Sequence, residues 1–496
     1  MSYVALSINI FTGLFYTPWM ISSIGRESFG LYTLAMSVIS LFVFDFGLSS
    51  AITRFLSKFL AEGKQDKANN CLGIVSKLYL SLDAIMVVIL TIVYFFIPQI
   101  YQELTLEEIE KLEVVYIIAA VFSVFSFPFI PINGILTSSE KFVQLKICEV
   151  IHKLIIVGFM SVCLAFDYGL YALVLVNAVA GIITILIKLC CINRYTDMGI
   201  NFSYKERNLL REIISFSTWT MIISLCLRSI FTFAPTILGI FCGSSSIAIF
   251  GIANVIEGYV FSFSNALGGM FLPRVSKIIS QEGGDVLPLM IKVGRLQLMI
   301  VGCVILGYIC LGRDFIRLWV GEGFELSYIC SVLIILPSLF FLPQEIGLQT
   351  IYARNKVKQE ACLYLIMMAI NLILGVILTW YMDVVGICIA IFIAYTIRTI
   401  GQDLIFKKIL NIDILTFFHQ SFFKLAPSLI CTFILGYGMN YILTQQSWFI
   451  LIIKGALFII IYGCFIYLVM HTYEKKMLMH PIQFLLSKVG KYIGKY

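Results

Sequence analysis

Charged residues are scarce in this sequence. Only 13% of its 496 residues are Asp, Glu, Lys or Arg, whereas 60% are apolar, and the mean hydropathy is +0.97. Soluble domains carry about a quarter charged residues, so this composition excludes a soluble globular protein. The polar segments between the apolar runs are short, which leaves no room for a separate catalytic domain. The chain is therefore expected to be a polytopic membrane protein.

Patterns that hold metals or nucleotides are also missing. The four histidines are scattered, and the fourteen cysteines form no CxxC pair and no Cys/His ligand spacing. No GxxxxGK[ST] segment occurs. The sequence thus predicts no metal site, no cofactor and no direct use of ATP, and the cysteines are expected to be small apolar residues on helices. No cleavable signal peptide is expected, because the first apolar run lacks a basic leader.

Apolar windows of about 20 residues, long enough to cross a bilayer, recur fourteen times. They predict an all-α membrane protein with about fourteen transmembrane helices. The windows cover residues 2–23, 31–53, 72–97, 112–136, 144–166, 170–192, 213–241, 247–272, 290–311, 327–351, 361–382, 386–406, 425–444 and 449–471. Short polar turns between some of them, such as residues 383–386, are typical of tight helical hairpins.

Basic residues indicate the orientation of these helices. Most lysines and arginines lie in alternate loops and in the C-terminal tail. By the positive-inside rule such loops face the cytoplasm. The sequence therefore predicts cytoplasmic N- and C-termini, with residues 54–71 inside and the acidic loop 98–111 outside. The tail at 480–496 alternates apolar residues with lysines, which fits an interfacial helix and a disordered basic tail equally well.

The chain contains an internal repeat. The segment DFGLSSAITRFLSKFLAEG begins at Asp45 and aligns with NALGGMFLPRVSKIISQEG, which begins at Asn265. In this alignment Arg54 matches Arg274. The shared pattern predicts a polar position near the inner mouth of each half, followed by a basic anchor at the level of the lipid phosphates. Asp45 and Asn265, with Arg54 and Arg274, are therefore expected to be structural or gating residues.

Further matches occur in the same order in both halves, including Phe29-Gly30 with Phe250-Gly251. They predict the duplication of a six-helix unit. Because six is an even number, the two copies enter the membrane in the same direction, which is the parallel repeat of many transporters. The predicted divisions are an N-lobe at 1–192, a C-lobe at 193–424, helices 13 and 14 at 425–471, and a basic cytoplasmic tail at 472–496.

One region resembles a known family. In IGRESFGLYTLAMSVISLFVFDFGLSSAITRFLSK, a loop with Gly25, Glu27 and Phe29-Gly30 precedes a helix that ends DFGLSSAITR. This pattern is similar to the signature region of the polysaccharide transporter family, the Wzx-type flippases of O-antigen and capsule repeat units. That family belongs to the multidrug/oligosaccharidyl-lipid/polysaccharide exporter superfamily. The resemblance is densest over residues 13–70, while the topology and the repeat agree along the whole chain.

The resemblance implies a flippase rather than an enzyme. Such a protein moves an undecaprenyl-pyrophosphate-linked oligosaccharide across the bacterial cytoplasmic membrane by alternating access. The glycan then enters O-antigen (lipopolysaccharide), capsule or exopolysaccharide synthesis. The implied partners are the lipid-linked oligosaccharide and, further, a glycan polymerase and a chain-length regulator, with no nucleic acid. Three alternatives stay open: a lipid II-type flippase, a multidrug cation antiporter of the same superfamily, and a membrane glycan polymerase or acyltransferase.

Charges within the predicted spans identify candidate substrate residues. A charge at the bilayer centre costs about 2.5–3.5 kcal/mol on insertion scales, so such residues tend to face a cavity or a partner. Arg228 lies near the middle of helix 7, and guanidinium pairs with phosphate in a bidentate manner. Lys77 and Lys153 are weaker candidates for the same cavity. Lys77 could instead reach the inner surface, and Lys153 could pair with Glu149 four residues earlier.

The remaining charges in the spans have other expected roles. Asp83 in helix 3 and Glu257 in helix 8 have no partner nearby in sequence, so they are the candidates for ion or proton coupling. Arg228 could alternatively form a structural ion pair with one of them. Lys454, close to the outer end of helix 14, is expected to extend its ammonium group to the membrane surface.

Overall fold

The computed structural model describes residues 2–42, 48–166, 168–204, 206–268, 275, 278, 285–354 and 356–475. Within this part of the chain every regular element is helical and no strand occurs. Asp45, Arg274 and the tail at 480–496 lie outside the described residues, and of Asn265 only the helical backbone is described.

The described residues form fourteen helical segments, which are numbered α1 to α14 in chain order. Some of them consist of consecutive helical pieces, and residues 43–47 of α2 lie outside the described residues. Their bounds are α1 Ser2–Ile24; α2 Arg26–Phe42 and Leu48–Ala61; α3 Gln65–Ile100; α4 Leu106–Ser126, Phe127–Phe129 and Pro131–Ser138; α5 Phe142–Ala165; α6 Gly169–Tyr195; α7 Arg207–Phe241; α8 Ser244–Gly268; α9 Leu287–Val320; α10 Glu325–Ile335, Ser338–Phe341, Leu342–Gln344 and Glu345–Ala353; α11 and α12 the two parts of Val357–Lys408; α13 Ile414–Phe418, His419–Phe423 and Lys424–Ile442; and α14 Trp448–Val469.

These segments confirm the predicted fold class. Among the described residues, eleven helices are long and apolar enough to cross a membrane. They correspond to α3 through α14, with α11 and α12 joined into one run, and α1 and α2 precede them. The fourth helix of each half is broken by a 3₁₀ turn that contains a proline, Phe127–Phe129 in α4 and Leu342–Gln344 in α10, as expected for a repeat.

Local chemistry explains where helices begin and end. Thr105 starts α4 with a capping box, in which Glu108 N–H donates to Thr105 Oγ1 at 3.3 Å and Thr105 N–H donates to Glu108 Oε2 at 2.9 Å. Asp383, at φ 53°, breaks the helical run between α11 and α12. Gly386 follows, where a Cβ atom would lie 2.1 Å from Leu378 O. The predicted hairpin at residues 383–386 is confirmed.

The helices group into two compact units. The first unit comprises residues 1–259, 319–334 and 356–402, and the second comprises 260–318, 335–355 and 403–496. In the first unit α2 packs against α4 and α7, α5 against α6, and α1 against α5. In the second unit α13 packs against α14. Apolar clusters there join α9, α13 and α14 through Leu298, Leu425 and Phe458. The division into an N-lobe and a C-lobe stays a prediction.

The residues of the family signature have structural roles in the first unit. Gly25, at φ 83°, forms the turn between α1 and α2, a conformation that glycine adopts without strain. Asn177 on α6 donates a hydrogen bond of 3.0 Å to the Tyr32 hydroxyl on α2. The signature therefore positions α2 against its neighbours.

The two Phe-Gly pairs of the repeat lie against each other's helices. A Cβ atom on Gly30 of α2 would lie 2.1 Å from Ser244 O at the start of α8. A Cβ atom on Gly251 of α8 would lie 3.2 Å from the Phe29 ring. Phe29 and Phe250 are both buried. The sequence match thus corresponds to a close contact between α2 and α8.

Candidate functional site

Arg228 is exposed on α7. The helix turns a buried face with Ile223, Cys226 and Ile230 into the first unit, whereas Arg228 lies on the opposite, accessible face. At about 1.5 Å per residue, it lies about 20 Å from the C-terminal end of the helix at Phe241. The guanidinium forms no hydrogen bond or ion pair with any residue that the structure describes. The alternative of a structural ion pair with Asp83 or Glu257 is therefore not observed within the described chain.

Lys77 lines a pocket beside the first half of α3. Its ammonium donates a hydrogen bond of 2.9 Å to Tyr204 O, in the segment that leads into α7. The pocket has a volume of about 500 Å³, and Ser81, Glu206 and Arg207 also line it. The Tyr204 hydroxyl donates to Glu206 Oε2 at 2.6 Å. Lys77 and Arg207 thus supply two cations to one small cleft.

The expected ion pair between Lys153 and Glu149 is wrong. Glu149 Oε2 instead accepts from Lys146 Nζ at 2.7 Å, one turn towards the start of α5. Lys153 is exposed and has no hydrogen-bond partner among the described residues. His152, next to it, contacts Thr184 on α6, with 2.8 Å between His152 Nδ1 and Thr184 Oγ1. Since i,i+3 and i,i+4 pairs have similar strength, the sequence alone could not choose between the two lysines.

The two candidate coupling carboxylates lie in different environments. Asp83 Oδ1 on α3 is buried and has no hydrogen-bond partner within the described structure. Glu257 on α8 is half-buried. A buried carboxylate oxygen that lacks a donor is costly unless water, a proton or a ligand satisfies it. Asp83 is therefore the sharper of the two candidates, and its role in ion or proton coupling stays a prediction.

Most of the predicted gating residues cannot be placed. Asp45 and Arg274 fall outside the described residues, and the side chain of Asn265 is not described. Arg54 lies on Leu48–Ala61 of α2 and is exposed. The helix continues past Arg54 to Ala61, so Arg54 does not mark the helix end that the sequence predicts, and its role as an anchor at the lipid phosphates stays a prediction.

The structure contains a buried charged cluster on α11 and α12 that the sequence analysis does not predict. Arg398 Nη2 donates to the Tyr364 hydroxyl at 2.6 Å, and its guanidinium carbon lies 4.9 Å from the centre of the Tyr364 ring. Glu360 Oε1 lies 3.7 Å from Arg398 Nη2, which is beyond hydrogen-bond distance, and Glu360 is fully buried. Glu360 lies just before the predicted window 361–382, and Arg398 lies within the window 386–406. The one available signal was the presence of opposite charges at the ends of a predicted hairpin.

The expectation that Lys454 reaches the membrane surface is wrong. Its side chain is only 2% exposed, and Nζ donates to Asp314 Oδ2 at 2.7 Å and to Asn440 Oδ1 at 3.1 Å. Asn440 in turn donates to Cys310 O at 2.7 Å. The ion pair links α9 to α13 and α14 in the second unit. A buried lysine is retained here because its partners replace the water that it loses.

The first unit therefore holds three predicted cations, on α3, α5 and α7, together with the Asp83 and Glu257 carboxylates. Guanidinium and ammonium groups with unused donors can bind phosphate or pyrophosphate. No group of three or more His, Cys, Asp or Glu residues that could hold a metal ion occurs among the described residues. All fourteen cysteines are free thiols.

A family model described as polysaccharide biosynthesis protein matches residues 3–279, more than half of the chain. The chain belongs to this family. The resemblance to the polysaccharide transporter family is thereby confirmed. A relative along nearly the whole length is the uncharacterized membrane protein EpsK of Bacillus subtilis (strain 168). It is 22% identical over 509 residues, which are 96% of this chain and 95% of EpsK.

Solved structures share the fold. The lipid II flippase MurJ, in an inward closed conformation, superimposes with a TM-score of 0.73 at 15% identity. The alignment covers 96% of this chain and 99% of that one. An inward-facing multidrug resistance transporter of the MATE family, in the MOP superfamily, gives a TM-score of 0.64 at 14% identity over 82% of this chain and 97% of its own. The protein is thus a multi-pass membrane protein with the fold of the MOP superfamily.

Proposed function

We propose that this protein is a flippase that moves an undecaprenyl-pyrophosphate-linked oligosaccharide across the bacterial cytoplasmic membrane by alternating access. Membership of the polysaccharide biosynthesis family supports a glycan intermediate as the substrate. The observation that carries the proposal is the exposed guanidinium of Arg228, which lies within a membrane-spanning helix and has no partner in the described chain. Retaining such a cation is costly unless an anionic ligand uses it.

Charge favours this substrate over a drug cation. The candidate residues Arg228, Lys77 and Lys153 are cations, whereas a site for drug cations would be expected to present mainly carboxylates. Lys77 and Lys153 are proposed as secondary contacts of the pyrophosphate. Asp83 and Glu257 are proposed to couple transport to an ion or proton gradient.

A lipid II-type flippase is the second candidate. The likeness to MurJ covers 99% of that chain, and lipid II presents the same pyrophosphate to a guanidinium. The two candidates differ in the glycan that accumulates when transport stops. Loss of this protein should leave lipid-linked repeat units of a secreted polysaccharide on the inner leaflet, and peptidoglycan synthesis should continue. A block in peptidoglycan synthesis would favour the second candidate.

Substitution of Arg228 tests the proposed substrate site. Arg228→Ala should leave the protein folded and inserted but should reduce glycan export sharply, with lipid-linked repeat units collecting on the inner leaflet. Arg228→Lys should restore only part of the export, because an ammonium keeps the charge but loses the two-pronged geometry. Arg211→Ala removes another exposed arginine of α7 and should transport normally. Normal export by a well-folded Arg228→Ala protein would exclude Arg228 from the site.

The proposed orientation places both termini in the cytoplasm and α4's capped start outside. Lys64 and Glu107 both have exposed side chains, 50% and 77% respectively. In a variant that lacks the native cysteines, a membrane-impermeant thiol reagent applied to intact cells should label Glu107→Cys and spare Lys64→Cys. The reverse pattern would invert the orientation.

A further inference from the structure

A second basic pocket lies in the second unit, at the start of α9. Its volume is about 730 Å³, and Lys292, Arg295, Gln420, His471 and Tyr473 are among the residues that line it. The described lining contains no carboxylate. One wall is apolar and belongs to the first turns of α9. The pocket therefore offers positive charge beside a hydrocarbon surface.

Three side chains of this pocket are stacked in a fixed order. Lys292 Nζ lies 4.9 Å from the centre of the Tyr473 ring, a distance at which an ammonium group is attracted to an aromatic face. The His471 ring stacks on Tyr473 with 6.0 Å between centroids and 13° between planes. Lys292 and His471 are both exposed at the pocket. The Lys292 ammonium and the His471 imidazole therefore lie on the same edge of the pocket, on either side of Tyr473, where both can contact a ligand.

A fully buried ion pair holds this edge in place. Arg295 Nε donates to Glu474 Oε1 at 2.6 Å, and Nη2 donates to Glu474 Oε2 at 3.1 Å. Both side chains are completely buried. Glu474 also accepts from His471 N–H at 2.7 Å and from the Tyr473 hydroxyl at 2.9 Å. Rigid support of this kind pre-orders a binding site and lowers the entropy that binding costs.

The charges of the pair largely cancel, so the charge left to the pocket is that of Lys292. Burial raises the pKa of the Glu474 carboxyl, but hydrogen bonds from Arg295 and from His471 N–H outweigh that effect and hold the pKa below its ordinary value. Glu474 therefore stays ionised at neutral pH, and its negative charge compensates the positive charge of Arg295. A monovalent or divalent anion is the ligand that complements the remaining site.

We propose that this pocket binds the phosphate headgroup of an anionic bilayer phospholipid, such as phosphatidylglycerol or cardiolipin. Basic pockets between transmembrane helices on the cytoplasmic side are suited to such headgroups. The apolar wall of Leu287, Pro288 and Ile291 would contact the glycerol and the upper acyl chain. The chain's own tail is an unsuitable occupant, because its lysines repel Lys292. The proposal depends on the proposed orientation only for the choice of leaflet and does not depend on the transported glycan.

The test compares lipid binding by matched lysine variants of the full chain. Wild type, Lys292→Ala and the double variant Lys292→Ala/His471→Ala are purified in mild detergent and titrated with phosphatidylglycerol, and bound lipid is measured by native mass spectrometry. Each removed headgroup contact should weaken binding about fivefold, and Lys292→Arg should restore it. Lys475→Ala is the control: its ammonium lies 4.5 Å from the Tyr467 ring but does not line the pocket, so affinity should stay unchanged.

Two further arms separate the possible ligands. Phosphatidylcholine should bind the wild type weakly and should not respond to Lys292→Ala. Inorganic phosphate, titrated up to millimolar concentrations, should not displace phosphatidylglycerol. Equal phosphatidylglycerol affinity of wild type and the double variant, with both proteins shown to be folded by their thermal transitions, would overturn the proposal. Displacement by inorganic phosphate at the same concentration as the lipid would also overturn it, because the pocket would then be a free-phosphate site.

Discussion

The two units contain buried ion pairs of different quality. In the second unit, Arg295 and Glu474 meet at 2.6 Å in a bidentate pair, and the remaining guanidinium donors reach Gln420 O and Val469 O. In the first unit, Glu360 lies 3.7 Å from Arg398, and both of its carboxylate oxygens are buried without a hydrogen-bond partner in the described chain. Both carboxylate oxygens of Glu474 accept hydrogen bonds, whereas neither oxygen of Glu360 accepts one from the described residues.

This difference distinguishes ion pairs that stabilise the fold from charged groups that can still bind a ligand or an ion. A saturated buried pair fixes the geometry of the elements that it joins, and removal of one partner strands the other. Buried carboxylate oxygens that lack a donor within the described chain, namely both oxygens of Glu360 and Oδ1 of Asp83 in the first unit, carry a desolvation cost that a proton, a cation or water can relieve. The first unit also contains Arg228. The groups proposed to contact the transported substrate or a coupling ion therefore lie in the first unit, whereas the ion pairs of the second unit hold α9 against α14 and against the segment that follows it.

The largest expected effect comes from neutralising one carboxylate in each unit. Glu474→Gln removes the charge that compensates the fully buried Arg295, so it should lower the free energy of unfolding by about 3–5 kcal/mol. Glu360→Gln should lower it by less than Glu474→Gln does, because at 3.7 Å the Glu360 carboxylate gains less from Arg398 than a bidentate contact gives. The Glu360 carboxylate has no hydrogen-bond partner among the described residues, and Arg398 keeps its contacts with the hydroxyl and the ring of Tyr364. Thermal transitions of the purified variants measure both.

Equal losses of stability in these two variants would refute the distinction between the units. A second comparison then shows whether the charge or the shape of Glu474 matters. The double variant Arg295→Met/Glu474→Leu replaces the pair by apolar side chains and should recover much of the stability. If the double variant is as unstable as Glu474→Gln, the hydrogen bonds to His471 N–H and to the Tyr473 hydroxyl, rather than the charge, hold the segment.

Sequence reasoning was sufficient for the fold because the fold depends on local patterns. Apolar runs of spanning length, the turn at Gly25 and the hairpin at residues 383–386 each follow from neighbouring residues. The family also follows from a contiguous signature. Helix length was less predictable. The helix α3 covers Gln65–Ile100, which makes it about 54 Å long at 1.5 Å per residue. Residues 65–71, which the sequence predicts to lie before the membrane span at 72–97, are therefore part of α3.

Ion-pair partners could not be predicted, because they depend on how helices far apart in sequence align. Lys454 meets Asp314 across a separation of 140 residues, and Glu474 meets Arg295 across 179. Even within one helix, the choice of Lys146 over Lys153 by Glu149 depends on rotamers rather than on spacing. The sequence predicts the residue types of the candidate site and the helices that carry them. It does not predict their hydrogen bonds and ion pairs, which depend on how the helices pack.

A smaller effect is expected at the glycine contact between α2 and α8, which tests whether the first unit depends on backbone packing. A Cβ atom on Gly30 would lie 2.1 Å from Ser244 O, and a backbone oxygen cannot move away as a side chain can. Gly30→Ala should therefore cost about 1–3 kcal/mol of stability. Gly158→Ala in α5 is the matched control, since nothing lies within 4 Å of its Cβ position; it should be neutral or stabilising by up to about 1 kcal/mol. Similar melting temperatures for the two variants would contradict the close approach.

The smallest effect is expected at the exposed pair Lys146–Glu149 of α5. Its side chains are 42% and 44% exposed, and surface pairs of this kind contribute about 0.2–0.5 kcal/mol. Lys146→Ala should cost even less, because Glu149 can then pair with Lys153 at the i,i+4 spacing. The double variant Lys146→Ala/Lys153→Ala removes both partners and should show the full value. A thermal shift that is as large for Lys146→Ala as for the double variant would mean that Lys153 does not take over. Lys153 would then remain available to a ligand even when its neighbour is missing.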